Sequence, residues 1–186
     1  MAGAVGALTA LIAALSLVAD VEAFQSPPET THPLIGRAVL EFRAPEDDPL
    51  NMPTAVAVAP DGRVFVVDGV NDRVVEFSAD GAVTRAFIEG GGRPFRQPVG
   101  AKADVDGRVW IADTGNARIV VLDADGETDR VVDLSGVLED RVPDVTDLAF
   151  AASGAHLWLA DNDDHVLLRY GLESGEVEVV GRPGEA

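Results

Sequence analysis

The sequence predicts an all-β protein of the β-propeller class, and three observations indicate it. A segment that begins at Pro53 returns 45 residues later at Pro98 and again at Pro143. A run of apolar residues that ends in aspartate also recurs, and its copies end at Asp68, Asp113 and Asp161. An apolar residue stands nine positions after each aspartate: Phe77, Leu122 and Tyr170. A period of 40–50 residues built from short apolar runs is typical of one propeller blade per repeat.

Each repeat is predicted to hold four short strands joined by tight turns. In the first repeat they cover residues 54–59, 64–67, 73–77 and 83–87. Asp-Gly pairs at 61–62 and 80–81 lie between consecutive strands, and glycine takes the positive φ of a hairpin turn without steric cost. Equivalent pairs recur later as Asp106-Gly107, Asp125-Gly126 and Ser174-Gly175. The third copy is longer by three residues, which we assign to the turn around Ser153-Gly154.

The strand count predicts an incomplete ring. Residues 37–42 match an outer, fourth strand, and the repeats that follow cover about 53–97, 98–142 and 143–180 of a blade region, 37–186. Three blades fall short of the four to eight that close a propeller. We expect part of a longer propeller. The alternative is self-association of two three-bladed arcs into a six-bladed ring, but the ring would leave strand 37–42 surplus in each copy, which weighs against it.

The first 23 residues are predicted to be a secretory signal peptide. Residues 2–19 are apolar apart from Thr9 and Ser16, and Val21-Glu22-Ala23 has the small residues of a cleavage site. No lysine or arginine precedes the run, and its 18 residues are also close to the length of a membrane anchor. Residues 24–36 are predicted to be a linker. The expected location is secreted or periplasmic, with a membrane-anchored propeller as the alternative.

Charge excludes one class of partner. The chain has 32 acidic and 14 basic side chains and a formal net charge of −18. Nucleic-acid binding needs basic patches that contact phosphates, so we expect no nucleic-acid partner. The chain has no cysteine, and a propeller core needs no disulfides.

The turns resemble those of the NHL repeat family. The motifs are Asp68-x-x-Asn71-x-Arg73 and Asp113-x-x-Asn116-x-Arg118. The segment 90–100, which leads into the second repeat, is also similar to the family's glycine-rich approach to a blade. The third copy keeps Asp161 but has Asp164 and Val166 at the asparagine and arginine positions. The resemblance implies an NHL-type propeller and assigns no ligand.

The repeated Asp and Arg side chains are interpreted as structural. An aspartate at a strand end can accept hydrogen bonds from the turn that follows, and an arginine five residues on begins the next strand beside it. On that basis Arg118→Ala is predicted to cost about 1 kcal/mol. The alternative is a ring of charged ligand-binding residues around one mouth of the propeller.

Two metal sites are considered. Asp161, Asp163 and Asp164 supply hard oxygen ligands of the kind that Ca²⁺ takes, and the alternative is a solvated loop. The three histidines, His32, His156 and His165, are too scattered to indicate zinc. No Gly-x-Ser-x-Gly motif occurs, and we expect no cofactor and assign no catalytic residue.

The sequence therefore favours a binding scaffold for a protein, peptide or glycan. The alternative is a metal-dependent lyase or hydrolase of the NHL-propeller type whose active site lies partly on blades beyond these three. Trp110 and Trp158, at matching repeat positions, are expected in the blade cores, with sugar stacking as their alternative role.

Overall fold

Three four-stranded antiparallel sheets, one per repeat, dominate the described part of the chain. The computed structural model describes residues 41–181. The first sheet consists of β1 (Ala55–Val58), β2 (Val64–Asp68), β3 (Arg73–Phe77) and β4 (Val83–Phe87). A short hairpin of β5 (Glu89–Gly90) and β6 (Arg93–Pro94) follows. The second sheet consists of β7 (Pro98–Ala103), β8 (Val109–Asp113), β9 (Arg118–Leu122) and β10 (Thr128–Asp133). The third consists of β11 (Val145–Phe150), β12 (His156–Asp161), β13 (Val166–Gly171) and β14 (Val177–Val180).

Each sheet is a meander, because its strands pair in chain order. The sheets are the first, second and third blades, and their inner strands β1, β7 and β11 lie beside one another. Asp-Gly turns make the connections as predicted: Gly62 and Gly107 have φ of 89° and 82°, a region that glycine enters freely. The architecture confirms the predicted class, an all-β partial propeller.

The hydrophobic core lies between the blades. One cluster joins the first and second blades and includes Phe65 and Ile111. The other joins the second and third blades and includes Trp110, Leu159 and Tyr170. Each blade therefore hides its apolar face against its neighbour, as in stacked repeats whose stability depends on nearest-neighbour interfaces.

The register of the third blade corrects the sequence alignment. Val145 pairs with Asp161 as Pro98 pairs with Asp113, so Val145 and not Pro143 occupies the place of Pro98. Two of the three extra residues therefore precede the inner strand β11. Only one lies in the turn around Ser153-Gly154, where the prediction had assigned all three.

Several expectations fall on residues outside the described range. These are the signal peptide or anchor at 1–23, the linker at 24–36, and most of the outer strand at 37–42. Glu41 and Phe42, which are described, are not in a strand, and the Phe42 ring packs edge-on against Phe77 with centroids 5.6 Å apart. Within residues 41–181 we find no helix with the length and apolar character needed to span a membrane.

Candidate functional site

The turns that follow the second strands form one end of the molecule, here called the turn rim. In the first two blades a short 3-10 turn, Gly69–Asn71 or Thr114–Asn116, follows the repeated aspartate. The next residue, Asp72 or Ala117, is left-handed with φ near 50°. His165 is also left-handed in the third blade, with φ of 56°. The rim thus repeats a left-handed turn residue in each of the three blades, and the 3-10 turn in the first two.

Asp68 organises the rim of the first blade. Its Oδ2 accepts hydrogen bonds from Arg73 Nε at 2.7 Å and from Asn71 Nδ2 at 2.8 Å. Its Oδ1 accepts the backbone N–H of Asn51 at 2.7 Å. The carboxylate is fully buried, so its charge is compensated by three donors rather than by water.

The second blade repeats this arrangement around Asp113. Arg118 Nε and Asn116 Nδ2 donate to Oδ2 at 2.6 and 2.8 Å, and the Arg96 N–H donates to Oδ1 at 2.7 Å. Arg118 also donates to the carbonyl oxygens of Gly90, at 3.0 Å, and Arg93, at 2.9 Å. The buried guanidinium therefore ties the turn to the segment that leads into the blade.

The third blade lacks all three donors. Pro143 occupies the place of Asn51 and Arg96 and has no N–H, Asp164 replaces the asparagine, and Val166 pairs with Asp161 where an arginine stood. Asp161 Oδ1 accepts the N–H groups of Asp163 and Asp164, both at 3.1 Å. Asp161 Oδ2 is buried without a hydrogen-bond partner. That Pro143 lies at the repeat position of Asn51 and Arg96 could be recognised only from the pairing of β11 with β12.

The third blade has an ion pair between its turn and its lead-in segment, and the acid and the base have exchanged places relative to the first blade. Arg141, on the segment that leads into the blade, forms an ion pair with buried Asp164 Oδ1, although the contact is not aligned as a hydrogen bond. In the first blade the arginine is on the turn and the acid on the lead-in segment, as Arg73 pairs with Asp48. The third blade thus keeps a charge contact at this place while losing the buried carboxylate's own donors.

Crowding of acidic groups affects Asp144. Its partial burial, and then the charges of Asp163 and Asp161, raise its pKa above the ordinary value. Within residues 41–181, however, no three histidine or acidic side chains are arranged to hold a metal ion. The structure therefore does not bring Asp161, Asp163 and Asp164 together as calcium ligands. His32 lies outside the described residues.

The opposite end of the molecule carries a cavity to which all three blades contribute, here called the hairpin cavity. Its volume is about 470 Å³. The ends of the inner strands line it with residues at one repeat position: Val58, Ala103 and Phe150. Val105, from the second blade's hairpin, and Leu172 complete its apolar wall. A cavity of this size with mostly apolar walls is typical of ligand sites.

Asp104, Asp106 and Arg108 supply the hairpin cavity's ionic groups, and Arg108 also donates to Asp106 Oδ2 at 2.9 Å. Asp104 Oδ2 accepts hydrogen bonds from Trp110 Nε1 at 3.0 Å and Arg108 Nε at 2.7 Å. Burial acts to raise the pKa of Asp104, but these hydrogen bonds outweigh it and hold the pKa below the ordinary value. Asp104 therefore stays ionised and holds Arg108 beside the apolar wall.

Two other cavities are lined by fewer than three blades. One of about 610 Å³ lies along a single blade, next to Ala155 and Leu172. Another of about 400 Å³ lies on the turn rim between the first two blades, beside Met52 and Val70. The larger volume does not decide the choice, because among these cavities of residues 41–181 the hairpin cavity alone combines walls from three blades with an ordered ion pair. Sequence reasoning missed it, since its lining residues belong to different repeats.

Comparisons with known proteins agree with this fold. The family model described as "SMP-30/Gluconolactonase/LRE-like region" matches residues 43–160. A catalytically inactive virginiamycin B lyase from Staphylococcus aureus, solved with quinupristin, has a TM-score of 0.58 and 18% identity over 70% of this chain and 41% of that one. A streptogramin B lyase has a TM-score of 0.57 and 20% identity over 69% and 40%.

A third solved structure is similar at lower sequence identity. Hydrazine synthase from Kuenenia stuttgartiensis has a TM-score of 0.55 and 14% identity, covering 68% of this chain and 35% of that one. The chain thus spans about two fifths of the length of the lyases it matches. No curated protein matches it. At such identities the solved structures show a shared fold.

Proposed function

Because this chain belongs to the SMP-30/gluconolactonase/LRE-like family of propellers, we propose that it is a binding scaffold whose ligand occupies the hairpin cavity. The observation that carries the proposal is the convergence of three inner-strand ends on one apolar cavity with an ion pair at its edge. Ligand classes that fit are a peptide or protein segment, or a glycan, with an apolar surface and a basic or hydroxyl group, because Arg108 is already paired with both Asp104 and Asp106. An exported location and an NHL-type repeat remain part of the proposal.

The turn rim is assigned a structural role in this proposal. Asp68 and Asp113 are fully buried, and each carboxylate already accepts three hydrogen bonds. A ligand could reach them only by displacing Arg73 or Arg118. Ligand binding at the rim would therefore have to break the contacts that order the turns, whereas the hairpin cavity is open as it stands.

The proposal is tested by selecting ligands on the intact chain. A phage library of random peptides and a glycan array are the probes, and Val58→Asp and Val105→Asp place a charge on the exposed cavity wall. We expect ligands selected by the wild-type chain to lose at least about tenfold in affinity for both variants, because a carboxylate in an apolar contact costs free energy. Val70→Asp, the same substitution at an exposed valine of the turn rim, is the control. Ligands that bind all four chains equally would overturn this site.

The family name supports a second candidate, a lactone-hydrolysing or lyase activity that depends on a metal ion. The test is the melting temperature of the chain with and without Ca²⁺, Mg²⁺ or Zn²⁺, since an ion that binds the folded state stabilises it by an amount that grows with the logarithm of the ion concentration over its Kd. A rise at micromolar metal favours the enzyme. An unchanged melting temperature, together with peptide or glycan ligands that depend on Val58, favours the scaffold.

A further inference from the structure

The turn of the third blade holds a buried carboxylate with one unused oxygen. Asp161 is 3% exposed, and its Oδ1 accepts two backbone N–H groups of its own turn. Its Oδ2 has no hydrogen-bond partner within residues 41–181. A buried carboxylate oxygen without a donor costs free energy, because burial removes the water that would otherwise hydrate it. The folded turn therefore keeps one strong acceptor that a further donor can satisfy.

The first two blades show which donor this position takes. In each of them the repeated aspartate accepts a hydrogen bond from a guanidinium, as Asp113 Oδ2 does from Arg118 Nε at 2.6 Å. In the third blade Val166 stands opposite Asp161 in the ladder, at the place of that arginine. A valine side chain has no donor. The third blade thus keeps the acceptor of the repeat and lacks the guanidinium that completes it.

Further carboxylates make the surroundings of Asp161 acidic. Asp164 is buried and Asp163 exposed on the turn, and Asp144 is half-buried on the segment that leads into the blade. Partial burial, and then the charges of Asp163 and Asp161, raise the pKa of Asp144, so these three carboxylates are close enough to repel one another. Within residues 41–181 one arginine is ion-paired in this cluster, Arg141 with Asp164. A single guanidinium among four carboxylates leaves the turn strongly negative.

The segment that leads into the third blade offers acceptors as well. In the second blade Arg118 also donates to the carbonyl oxygens of Gly90 and Arg93, which precede that blade. In the third blade, residues 139–142 are exposed. None of the backbone hydrogen bonds between turns and loops of residues 41–181 ends on a carbonyl oxygen of residues 139–143. A guanidinium has several N–H donors, so it can use carboxylate and carbonyl oxygens together, as Arg118 does.

We propose that the turn of the third blade, residues 139–144 and 161–164, is a receptor site for a guanidinium group carried by an arginine of a bound peptide. That group takes the place that Arg118 has in the second blade and donates to Asp161 Oδ2. A metal ion fits less well, because within residues 41–181 no three histidine or acidic side chains are arranged to hold one. The site lies at the opposite end of the molecule from the hairpin cavity and does not depend on a ligand there.

The first test is a titration of the full-length chain followed by amide NMR spectroscopy. The probes are the blocked peptide acetyl-Gly-Arg-Gly-amide, its lysine and citrulline counterparts, and free L-arginine. We expect the arginine peptide to shift the signals of residues 139–144 and 161–166. The lysine peptide should bind more weakly, because an ammonium lacks the planar fork of a guanidinium, and the neutral citrulline peptide should not bind. Tighter binding of free L-arginine than of the peptide would overturn the peptide as the source of the group.

Asp161→Asn tests the acceptor without weakening the fold. It replaces a carboxylate that has an unpartnered oxygen by a neutral amide. We therefore expect affinity for the arginine peptide to fall by at least about tenfold while the melting temperature rises. Asp80→Asn, the same change in an exposed turn of the first blade, is the control and should leave the affinity unchanged. A loss of affinity in a more stable variant cannot come from unfolding.

Val166→Arg supplies the missing guanidinium from within the chain. An arginine at this ladder position pairs with the repeated aspartate in the first two blades, so the variant should gain stability and stop binding the peptide. Leu167→Arg is the matched control. It adds the same charge one residue along β13, where the side chain points to the opposite face, and it should still bind the peptide.

Three results would overturn the proposal. The first is an arginine peptide that leaves the signals of the third turn unchanged. The second is binding that persists with unchanged affinity in both Asp161→Asn and Val166→Arg. The third is equal affinity for the arginine and citrulline peptides, which would mean that the charge of the guanidinium is not recognised.

Discussion

Arg118 shows how one buried side chain holds two segments of a blade. Its guanidinium contacts the fully buried Asp113 and two carbonyl oxygens of the segment that leads into the blade. Removing one member of a buried ion pair leaves the other charge unpaired, which typically costs 3–5 kcal/mol. We therefore expect Arg118→Ala to lower the free energy of unfolding by about 3 kcal/mol. This exceeds the roughly 1 kcal/mol predicted from a single hydrogen bond.

Urea unfolding measures this difference. Arg43→Ala is the control, because Arg43 is an exposed arginine whose ion pair with Glu41 lies in solvent, so its unfolding midpoint should not move. A loss below about 1 kcal/mol for Arg118→Ala would show that the buried pair stabilises little more than an exposed one.

Asp113 and Asp161 occupy the same repeat position but are predicted to respond oppositely to removal of their charge. Asp113→Asn removes the acceptor of Arg118 and Asn116 and should destabilise the chain by about 3 kcal/mol. Asp161→Asn keeps the Oδ1 acceptor of two backbone N–H groups and replaces a buried oxygen that has no partner. We expect it to raise the melting temperature. Equal losses for both variants would contradict the difference in hydrogen bonding.

Asp144 makes stability depend on pH. Its pKa is raised in the folded state, so the folded chain binds this proton more tightly than the unfolded chain does. Stability should therefore increase as the pH falls from neutral through this raised pKa, until the pH reaches the ordinary value of an aspartate. Asp104 acts in the opposite sense: its lowered pKa adds stability above the ordinary value, and this is lost as the pH falls through the folded pKa.

The melting temperature as a function of pH separates these contributions. Asp144→Asn should be more stable than the wild-type chain at neutral pH and should lose the gain on mild acidification. Two results would contradict the assignment to Asp144. One is a wild-type melting temperature that does not rise on mild acidification, and the other is an Asp144→Asn variant that stays more stable than the wild-type chain at mildly acidic pH.

At the scale of elements, each blade depends on close approach between its turn and the segment that leads into it. Gly115 donates its N–H to the Arg96 carbonyl oxygen at 2.9 Å, and a Cβ added at Gly115 would lie 2.7 Å from that oxygen. Backbone cannot yield as a flexible side chain does. Gly115→Ala should therefore destabilise the chain by about 1–3 kcal/mol, as overpacking does elsewhere.

Gly136→Ala is the matched control for this element, because no atom lies within 4 Å of its added Cβ. Chemical denaturation of the two variants makes the comparison. Equal stability would mean that the second blade's turn can move away from its lead-in segment at no cost.

At the scale of the whole molecule, the two tryptophans differ in their contact with solvent. Trp110 is buried between blades, whereas Trp158 is half-buried under Arg169, 6.0 Å from its ring centroid. Acrylamide should therefore quench the emission of Trp158 more strongly than that of Trp110.

Trp158→Phe assigns that signal, since it leaves only the buried Trp110. The variant should show little quenching. Quenching of the variant as strong as that of the wild-type chain would mean that Trp110 is not buried between the blades.

The strands and turns were predictable from the sequence because their signals are local. Asp-Gly pairs and short apolar runs predicted β3 and β4 with the bounds that the structure has and β1 and β2 to within a residue at each end. The five-residue step from Asp113 to Arg118 placed the two side chains across one hairpin, where the ladder pairs them. The positions of the three extra residues in the third copy were harder to predict, because a difference in length does not show where along the repeat the extra residues lie.

The sequence by itself determined the class of fold, the three blades within residues 41–181 and the residues that order the first two turns, because each follows from a pattern repeated along the chain. Only the tertiary structure decided that Asp161 Oδ2 lacks a hydrogen-bond partner, that three inner-strand ends enclose a cavity, and which apolar residues of neighbouring blades form each core cluster. Those properties depend on which distant residues share a contact, and neighbouring blades, unlike neighbouring residues, are brought together only when the sheets pack.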